Sequence, residues 1–433
     1  MTDTTPFSMR RTRLMQQMGS GVAVLATAPE QVRNRDSHYP YRFDSHFYYL
    51  TGFAEPEAVV VLLASTHRVV LFCRDKDMER EIWDGFRYGP EAASATFHFD
   101  EAYSISELDT RLPGLLADQP TLHYALGQDS GWDARVLGWL NSVREQARSG
   151  VTAPTSLRDV RELVDEMRLF KDEAEQATMR NAAAIACAAH SRAMQATAPG
   201  RFEYEIEAEL LHHFRVNGSQ APAYTSIVAG GANACVLHYV ENNAQLHAGD
   251  LLLIDAGCEL DGYASDITRT FPVSGSFSAA QKDVYEMVLA AQSAALDAVK
   301  PGNHWNQPHE AALSVLVQGM IDLKLCTGSV DGVLESGDYR RFYMHRTGHW
   351  LGLDVHDAGS YKTDGHWRAL QPGMALTVEP GCYIRPADNV PEALWNIGIR
   401  IEDDVLVTAG GCEVITAAAP KTVAEIEAAM RHA

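Results

Sequence analysis

Leu251-Leu-Leu-Ile-Asp255-Ala-Gly-Cys-Glu-Leu-Asp261-Gly262-Tyr-Ala-Ser-Asp266-Ile-Thr-Arg-Thr-Phe271 holds an apolar run ending in a carboxylate, a turn dipeptide and a second strand-like run. Asp-Gly accepts the left-handed backbone that a two-residue hairpin turn needs, so the stretch predicts a β-hairpin. With the turn at Asp261-Gly262, Asp255 faces Thr268, and Asp266 lies one diagonal step away on the same side. Diagonal neighbours across a strand pair sit roughly 7–8 Å apart, close enough for two carboxylates to converge on shared cations. Either aspartate alone reads as a turn or strand-end residue bonded to backbone. Their joint placement is what carries chemistry.

A second carboxylate pair follows the same logic. In Ala375-Leu-Thr-Val-Glu379, Leu376 and Val378 point one way and Glu379 the other, and Pro380-Gly381 stops the strand. In Ile397-Gly-Ile-Arg-Ile-Glu402 three isoleucines bury one face and leave Gly398, Arg400 and Glu402 on the opposite one. Glycine there leaves room for a neighbour, and the arginine either steadies a carboxylate or simply pairs with Glu402. Tyr343-Met-His345-Arg-Thr-Gly-His349-Trp-Leu-Gly-Leu-Asp-Val-His356 adds three histidines within twelve residues. This is not the H-E-x-x-H zinc helix, because Arg346 stands in the glutamate's place and Gly348 and Gly352 favour a loop.

Around these motifs, alanine-rich helices are expected over 171–198 and 203–216. A third is opened by the capping box Ser278-Ala-Ala-Gln281 and stopped at Pro301-Gly302, and a fourth runs from about Pro308 to Leu325. Strands are expected over 250–257, 266–273, 375–379 and 397–407, so two helices and a strand pair recur, a weak hint of internal duplication. Earlier, 57–63 and 67–73 read as strands joined at Ala64-Ser-Thr66, 75–83 and 155–169 as helices, and 150–154 as a linker. The predicted division is an N-terminal domain over 1–170 and a catalytic domain over 171–433. His212, His213, His304 and His309 read as surface or helix-flanking residues, and Ala229-Gly-Gly231 as a loop near the site.

Composition narrows the partners. The 433 residues suit two or three domains, and 46% apolar with 21% charged residues is a globular balance. Lys plus Arg number 36 against 57 Asp plus Glu, a formal charge of −21 that argues against nucleic acid or an anionic membrane as partner. Seven scattered cysteines without a C-x-x-C pair read as reduced thiols of a cytoplasmic protein. No apolar run approaches a spanning helix. The basic segment 10–13 ahead of the apolar 21–28 loosely imitates a secretory signal. Gln16, Gln17, Gly19 and Ser20 intervene, so a short helix and a buried strand are expected there instead.

Taken together, the motifs closely resemble the metal-dependent aminopeptidase P group, whose pita-bread fold is shared with prolidase and methionine aminopeptidase. The likeness is carried by Asp255-x10-Asp266, His349-x29-Glu379, Glu379-Pro-Gly381 and Gly398-Ile-Arg-Ile-Glu402, with Tyr343-Met-His345, His356-Asp and Val236-Leu-His238-Tyr fitting the proline-specific branch. It extends to Pro40-Tyr-Arg42, Phe47-Tyr-Tyr-Leu-Thr-Gly-Phe53, Glu55-Pro-Glu-Ala58 and Glu81-Ile-Trp83.

That resemblance implies an α/β (α+β) chain: a C-terminal pita-bread domain of the creatinase/aminopeptidase kind after a smaller mixed-sheet α/β domain. It implies two divalent metal ions per subunit, first of all Mn(II), with Co(II) or Zn(II) as alternatives. Asp255, Asp266, His349, Glu379 and Glu402 would hold them, Asp266 and Glu402 bridging, and a bridging water would be ionised for attack on the peptide bond. Glu379 would shuttle the proton, and Arg400 would orient a metal-binding carboxylate. His238, His345 and His356 would surround the substrate, His238 and His356 shaping the proline pocket beside Tyr383. The N-terminal domain would limit access and support a homo-oligomer, dimer or tetramer, with Trp83 reaching a neighbouring subunit's cleft. The activity implied is release of the N-terminal residue from peptides with proline second, a tertiary amide that lacks the usual N–H. Prolidase, acting only on Xaa-Pro dipeptides, is the nearest alternative, and a non-catalytic scaffold a more distant one.

Overall fold

The hairpin forms around Asp261-Gly262, and in the predicted register. Both turn residues adopt positive φ, 49° and 85°. Leu251–Asp255 pairs antiparallel with Thr268–Pro272, Asp255 opposite Thr268, and Cys258–Leu260 continues the pairing with Tyr263–Ala264. Between these pairs the hairpin passes from one sheet to another at Ala256-Gly257. A Cβ on Gly257 would stand 1.7 Å from the Ser265 carbonyl oxygen, so only glycine lets the strands cross this closely.

The coordinates, a computed structural model, describe residues 5–431. They divide into two compact units, Met1–Arg168 and Leu169–Ala433. In the second unit the expected helices are Glu173–Ala196, Glu203–Val216, Ala279–Ala298 and Gln307–Asp322. Asp172 with Glu175, and Ser278 with Gln281, close reciprocal capping boxes at two of their N-termini. The first two helices pack on each other, as do the second two. Glu173–Ala196 lies on Cys258–Leu260 and Tyr263–Ala264, while Ala279–Ala298 lies on Ala375–Val378, Gly381–Ile384 and Ile397–Arg400. Ala186, Ile206, Leu210, Val288, Leu316, Ile254, Phe271, Ile399 and Ile401 are sealed into one core between helices and sheets.

Two expectations about strands are corrected. The run expected over 397–407 is two strands in different sheets: Ile397–Arg400 pairs with Gly381–Ile384, and Asp403–Thr408 with Ala375–Val378 and Gly411–Val414. The ladder breaks because Ile401 N–H turns to the Pro380 carbonyl (3.3 Å) and Glu402 N–H to the Thr268 carbonyl (3.1 Å). That break ties the second carboxylate pair to the first hairpin. Ala229-Gly-Gly231, read as a loop, begins in the strand Ile227–Gly230, which pairs with Leu251–Asp255 before a single-turn helix Gly231–Cys235.

The first unit is built on a six-stranded mixed sheet, in the order Glu101–Ser104, Arg68–Cys73, Val59–Leu63, Val22–Ala26, Thr121–His123, Ser156–Arg158. Val22, Val24, Val59, Val61, Val70 and Phe72 pack against Leu108, Leu112, Val136, Leu140 and Val143 of its helices. The signal-like N-terminal segment is the helix Thr5–Met18 followed by the buried strand Val22–Ala26. Arg11 is buried, donating to the carbonyls of Leu50 (3.0 Å) and Phe97 (2.9 Å), which shows why a basic cluster sits there. The helix expected over 155–169 starts only at Arg161; Ser156–Arg158 is an edge strand instead, with Leu157 40% exposed. Among the described residues no helix is long and apolar enough to cross a membrane, and the seven cysteines are free thiols.

The room predicted at Gly398 is taken up by backbone. A Cβ there would meet the Ala234 carbonyl oxygen at 2.3 Å. Gly398→Ala should therefore lower stability by about 1–3 kcal/mol through overpacking. Urea unfolding monitored by circular dichroism checks this: the midpoint should fall with an unchanged slope.

Candidate metal centre and substrate cavity

Asp255 ends one strand of the hairpin and Asp266 precedes the other; Glu402 sits at the ladder break and Glu379 just past Ala375–Val378. His349 is set by its own backbone neighbours. Its N–H donates to Thr377 Oγ1 (3.2 Å), and its carbonyl accepts from Thr377 N–H (3.0 Å). Its Nδ1–H donates to the Trp350 carbonyl (3.0 Å), which leaves Nε2 to face Asp266 Oδ2 at 3.3 Å and Glu379 Oε1 at 3.7 Å. Asp266, His349 and Glu402 each offer a donor atom, and these lie within 4.8 Å of one another.

Two supports hold the remaining acids. Arg400 donates from Nη2 to Asp255 Oδ2 (2.5 Å), from Nε to Thr268 Oγ1 (3.0 Å) and from Nη1 to the Tyr383 hydroxyl (2.9 Å). Thr268 Oγ1–H in turn donates to Glu402 Oε2 (2.7 Å). Arg400 thus steadies Asp255 directly and reaches Glu402 through Thr268, the carboxylate-steadying arrangement and not the direct pair with Glu402. Tyr224, which sequence reading passed over, touches Asp255 Oδ1 (2.6 Å) and Asp266 Oδ1 (2.5 Å) through one hydroxyl. No spacing rule joins it to them: it enters from the turn after the edge strand Ala221–Pro222.

Burial and mutual repulsion oppose ionisation of these acids. Burial first, then the neighbouring carboxylate charges, push Glu402 well above the usual carboxylate range and raise Asp266. Burial lifts Glu379 to about 7 despite the opposing pull of His349 and Arg400. His349 stands at about 9: burial lowers it, but the hydrogen bond its imidazolium donates to Asp266 and the charge of Glu379 outweigh that. An oxygen-rich set of four acids and one imidazole, short of positive charge, has the chemistry of a divalent-cation site.

These groups line a cavity of about 430 Å³ together with His238, His345, His356, Val240, Val355, Leu237 and Ile227. His238 and His356 are solvent-exposed at it, and the His356 ring lies 4.4 Å from that of His349. His345 is engaged at both nitrogens: Nδ1 with the Arg346 carbonyl (2.7 Å) and Nε2 with the Tyr383 hydroxyl (2.9 Å). Burial and then the Arg400 charge hold it down at about 3, so it is neutral. Tyr383, expected on the substrate, is buried behind His345 and Arg400 and is not part of the lining. His309, read as a helix flank, reaches Thr347 Oγ1 (2.8 Å), and the Thr347 carbonyl accepts the Glu379 N–H (2.8 Å). Trp83 lies on Met78–Asp84 in the first unit, 82% exposed.

Fold and site together define a metal-dependent hydrolase with its acids on a paired-strand floor. The model of metallopeptidase family M24 matches residues 177–409, and that of the aminopeptidase P N-terminal domain matches residues 7–123. The chain is 46% identical to the Xaa-Pro aminopeptidase of Escherichia coli K12, over 98% of this chain and 97% of that one. It superposes on the structure of Pseudomonas aeruginosa aminopeptidase PepP with a TM-score of 0.98 at 50% identity, covering 99% and 98% of the two chains. It superposes on zinc-substituted E. coli aminopeptidase P in complex with product with a TM-score of 0.96 at 45% identity, again covering 99% and 98%. The chain belongs to metallopeptidase family M24, in its aminopeptidase P group, with the aminopeptidase P N-terminal domain followed by the pita-bread domain.

Two outcomes follow from this geometry. Glu379 stands at about 7 against an ordinary 4.5 and His349 at about 9 against 6.5, while burial pushes His190, His309 and His345 the other way, to about 4, 4 and 3. Those three are neutral in both states above about pH 7, so between about 7 and 9 the metal-free folded state holds more protons than the unfolded chain and its melting temperature should fall as pH rises. Glu379→Gln should flatten the acid half of that slope, and calorimetry of chelator-treated protein measures both. Tyr224→Phe removes a hydroxyl shared by two acids and should weaken divalent-metal affinity about tenfold or more, read by titration calorimetry.

Proposed function

We propose that this protein releases the N-terminal residue from peptides whose second residue is proline, using two divalent cations per subunit, Mn(II) in the cell. Asp255, Asp266, His349, Glu379 and Glu402 would hold the cations. Bound there, divalent cations supply Lewis acidity for the peptide carbonyl and generate a nucleophile from water at neutral pH. Glu379, at the cavity wall beside His349, carries the proton to the leaving proline nitrogen. Arg400 fixes Asp255 and, through Thr268, Glu402, so the acids keep their geometry as charge shifts. His345 offers Nδ1–H to a substrate oxygen that competes with the Arg346 carbonyl, while Tyr383 holds its other nitrogen. Tyr383 therefore acts on the substrate through His345. His238 and His356 flank the proline ring, whose missing N–H needs no partner in this wall.

The observation that carries this reading is the convergence of all five predicted donors on the floor of one cavity rimmed by the three predicted histidines. The domain over 1–170 takes part in a homo-oligomer, which Trp83 supports: like Ile82 (80% exposed) and Met78 (69%) on the same helix, it exposes apolar surface suited to a second copy of the chain. The reduced, dispersed cysteines support a cytoplasmic location.

Purified protein should cleave Xaa-Pro-Yaa peptides, lose that activity to a chelator and regain it with Mn(II). Metal analysis should give two ions per subunit. Asp255→Ala or Glu402→Ala should abolish hydrolysis. Cleavage of Xaa-Pro with Xaa-Pro-Yaa left untouched would replace the aminopeptidase reading by a dipeptidase.

A further inference from the structure

Lys171 and Asp357 form an ion pair shut away from water. Nζ lies 2.8 Å from Oδ2, and each side chain is 1% exposed. Two buried charges lose their hydration, and their attraction offsets this only in a well-made setting. The chain around them is such a setting. Asp354 N–H donates to Asp357 Oδ1 (3.2 Å), and Asp357 N–H donates to the Trp350 carbonyl (2.9 Å). Lys171 is fixed at both ends of its own backbone: its N–H donates to the Gly373 carbonyl (2.8 Å), and its carbonyl accepts from Gln176 Nε2 (2.9 Å). Gly352 makes the space, since a Cβ there would stand 2.3 Å from Asp357 Oδ2 and 2.9 Å from Lys171 Cε.

The loop closed in this way carries function on its other side. Asp357 directly follows Val355 and His356, which line the cavity, and Trp350 directly follows His349. The ion pair is thus the fixed end of a short loop whose free side is a cavity wall. We propose that Lys171 and Asp357 are positioning residues for proline recognition, setting where Val355 and His356 stand without contributing to metal binding. This rests on the reading of the cavity as an Xaa-Pro site.

The test uses the full-length, metal-loaded protein. K171M/D357N removes both charges together, so no unpaired buried charge remains. Gly352→Ala keeps both charges but displaces the carboxylate. Both are compared with the unaltered protein in thermal unfolding, Mn(II) titration calorimetry, and kcat/KM for matched Xaa-Pro-Yaa and Xaa-Ala-Yaa peptides. In each variant kcat/KM for Xaa-Pro-Yaa should fall by about tenfold to 100-fold. The preference for proline over alanine should narrow, and the Mn(II) isotherm should match that of the unaltered protein. A folded variant with unchanged kcat/KM and proline preference overturns the proposal. So does a loss of activity that tracks a loss of Mn(II) affinity, or failure of both variants to fold, because the pair is then a support of the metal centre or of the fold. If the unaltered protein cleaves no Xaa-Pro-Yaa peptide, the functional reading has failed first. If it does and the variants match it, only the positioning role is lost.

Discussion

Four carboxylates facing one another under a cavity repel, and the surrounding structure is organised to hold them in place against that repulsion. Side-chain partners are one means. Arg400 holds Asp255, Thr268 holds Glu402, and Tyr224 touches both Asp255 and Asp266. The backbone is the other. Asp266 N–H donates to Asp404 Oδ2 (3.0 Å), and Glu402 N–H to the Thr268 carbonyl. Cations complete what these contacts leave uncompensated, because a single arginine and a histidine cannot balance four acids.

Behind this layer lies a second, buried except at the half-buried Lys421. Arg269 spends its donors on the carbonyls of Thr268, Glu402, Ala419 and Pro420 and on Asp403 Oδ1. Asp403 also accepts from Lys421 (2.6 Å), Gln292 (2.8 Å) and Thr416 (2.8 Å). Its carboxyl is held below the ordinary range because Arg269 and Lys421 together overcome the effect of burial. Loss of one member would strand a charge in the core, a cost of about 3–5 kcal/mol. The network therefore fixes the main chain at Thr268 and Glu402, where the hairpin and the second carboxylate pair meet.

The hairpin was legible because its register follows from one turn. Asp261-Gly262 allows little choice, and the pairing of Asp255 with Thr268 is then arithmetic. The helices were legible for a similar local reason, since capping boxes and Pro-Gly stops act within a few residues. What escaped was set over long range. The break at Glu402 depends on a carbonyl of Thr268, and Tyr224 meets its partners across separate strands. Leu157 belongs to a helical apolar pattern, yet it lies in an edge strand that pairs with Thr121–His123, because tertiary pairing outweighs a short periodicity. Tyr383 was expected beside the substrate, yet it is buried behind His345 and Arg400, since strand alternation says which face a side chain takes and not what stands before it.

The histidines show why residue type alone does not settle a role. His349 is driven towards the charged form by Asp266 and Glu379, although burial opposes it, so it belongs among groups that a cation must displace a proton from. His345, a few residues earlier in the chain, is kept neutral by burial and by Arg400, and both its nitrogens are already committed. His356 is lowered by burial and by the His349 charge, so it is held towards the neutral form at the cavity. Three similar side chains within one loop thus divide into one drawn towards the charged form and two held towards the neutral form, and the sorting is done by which charges lie beside each ring.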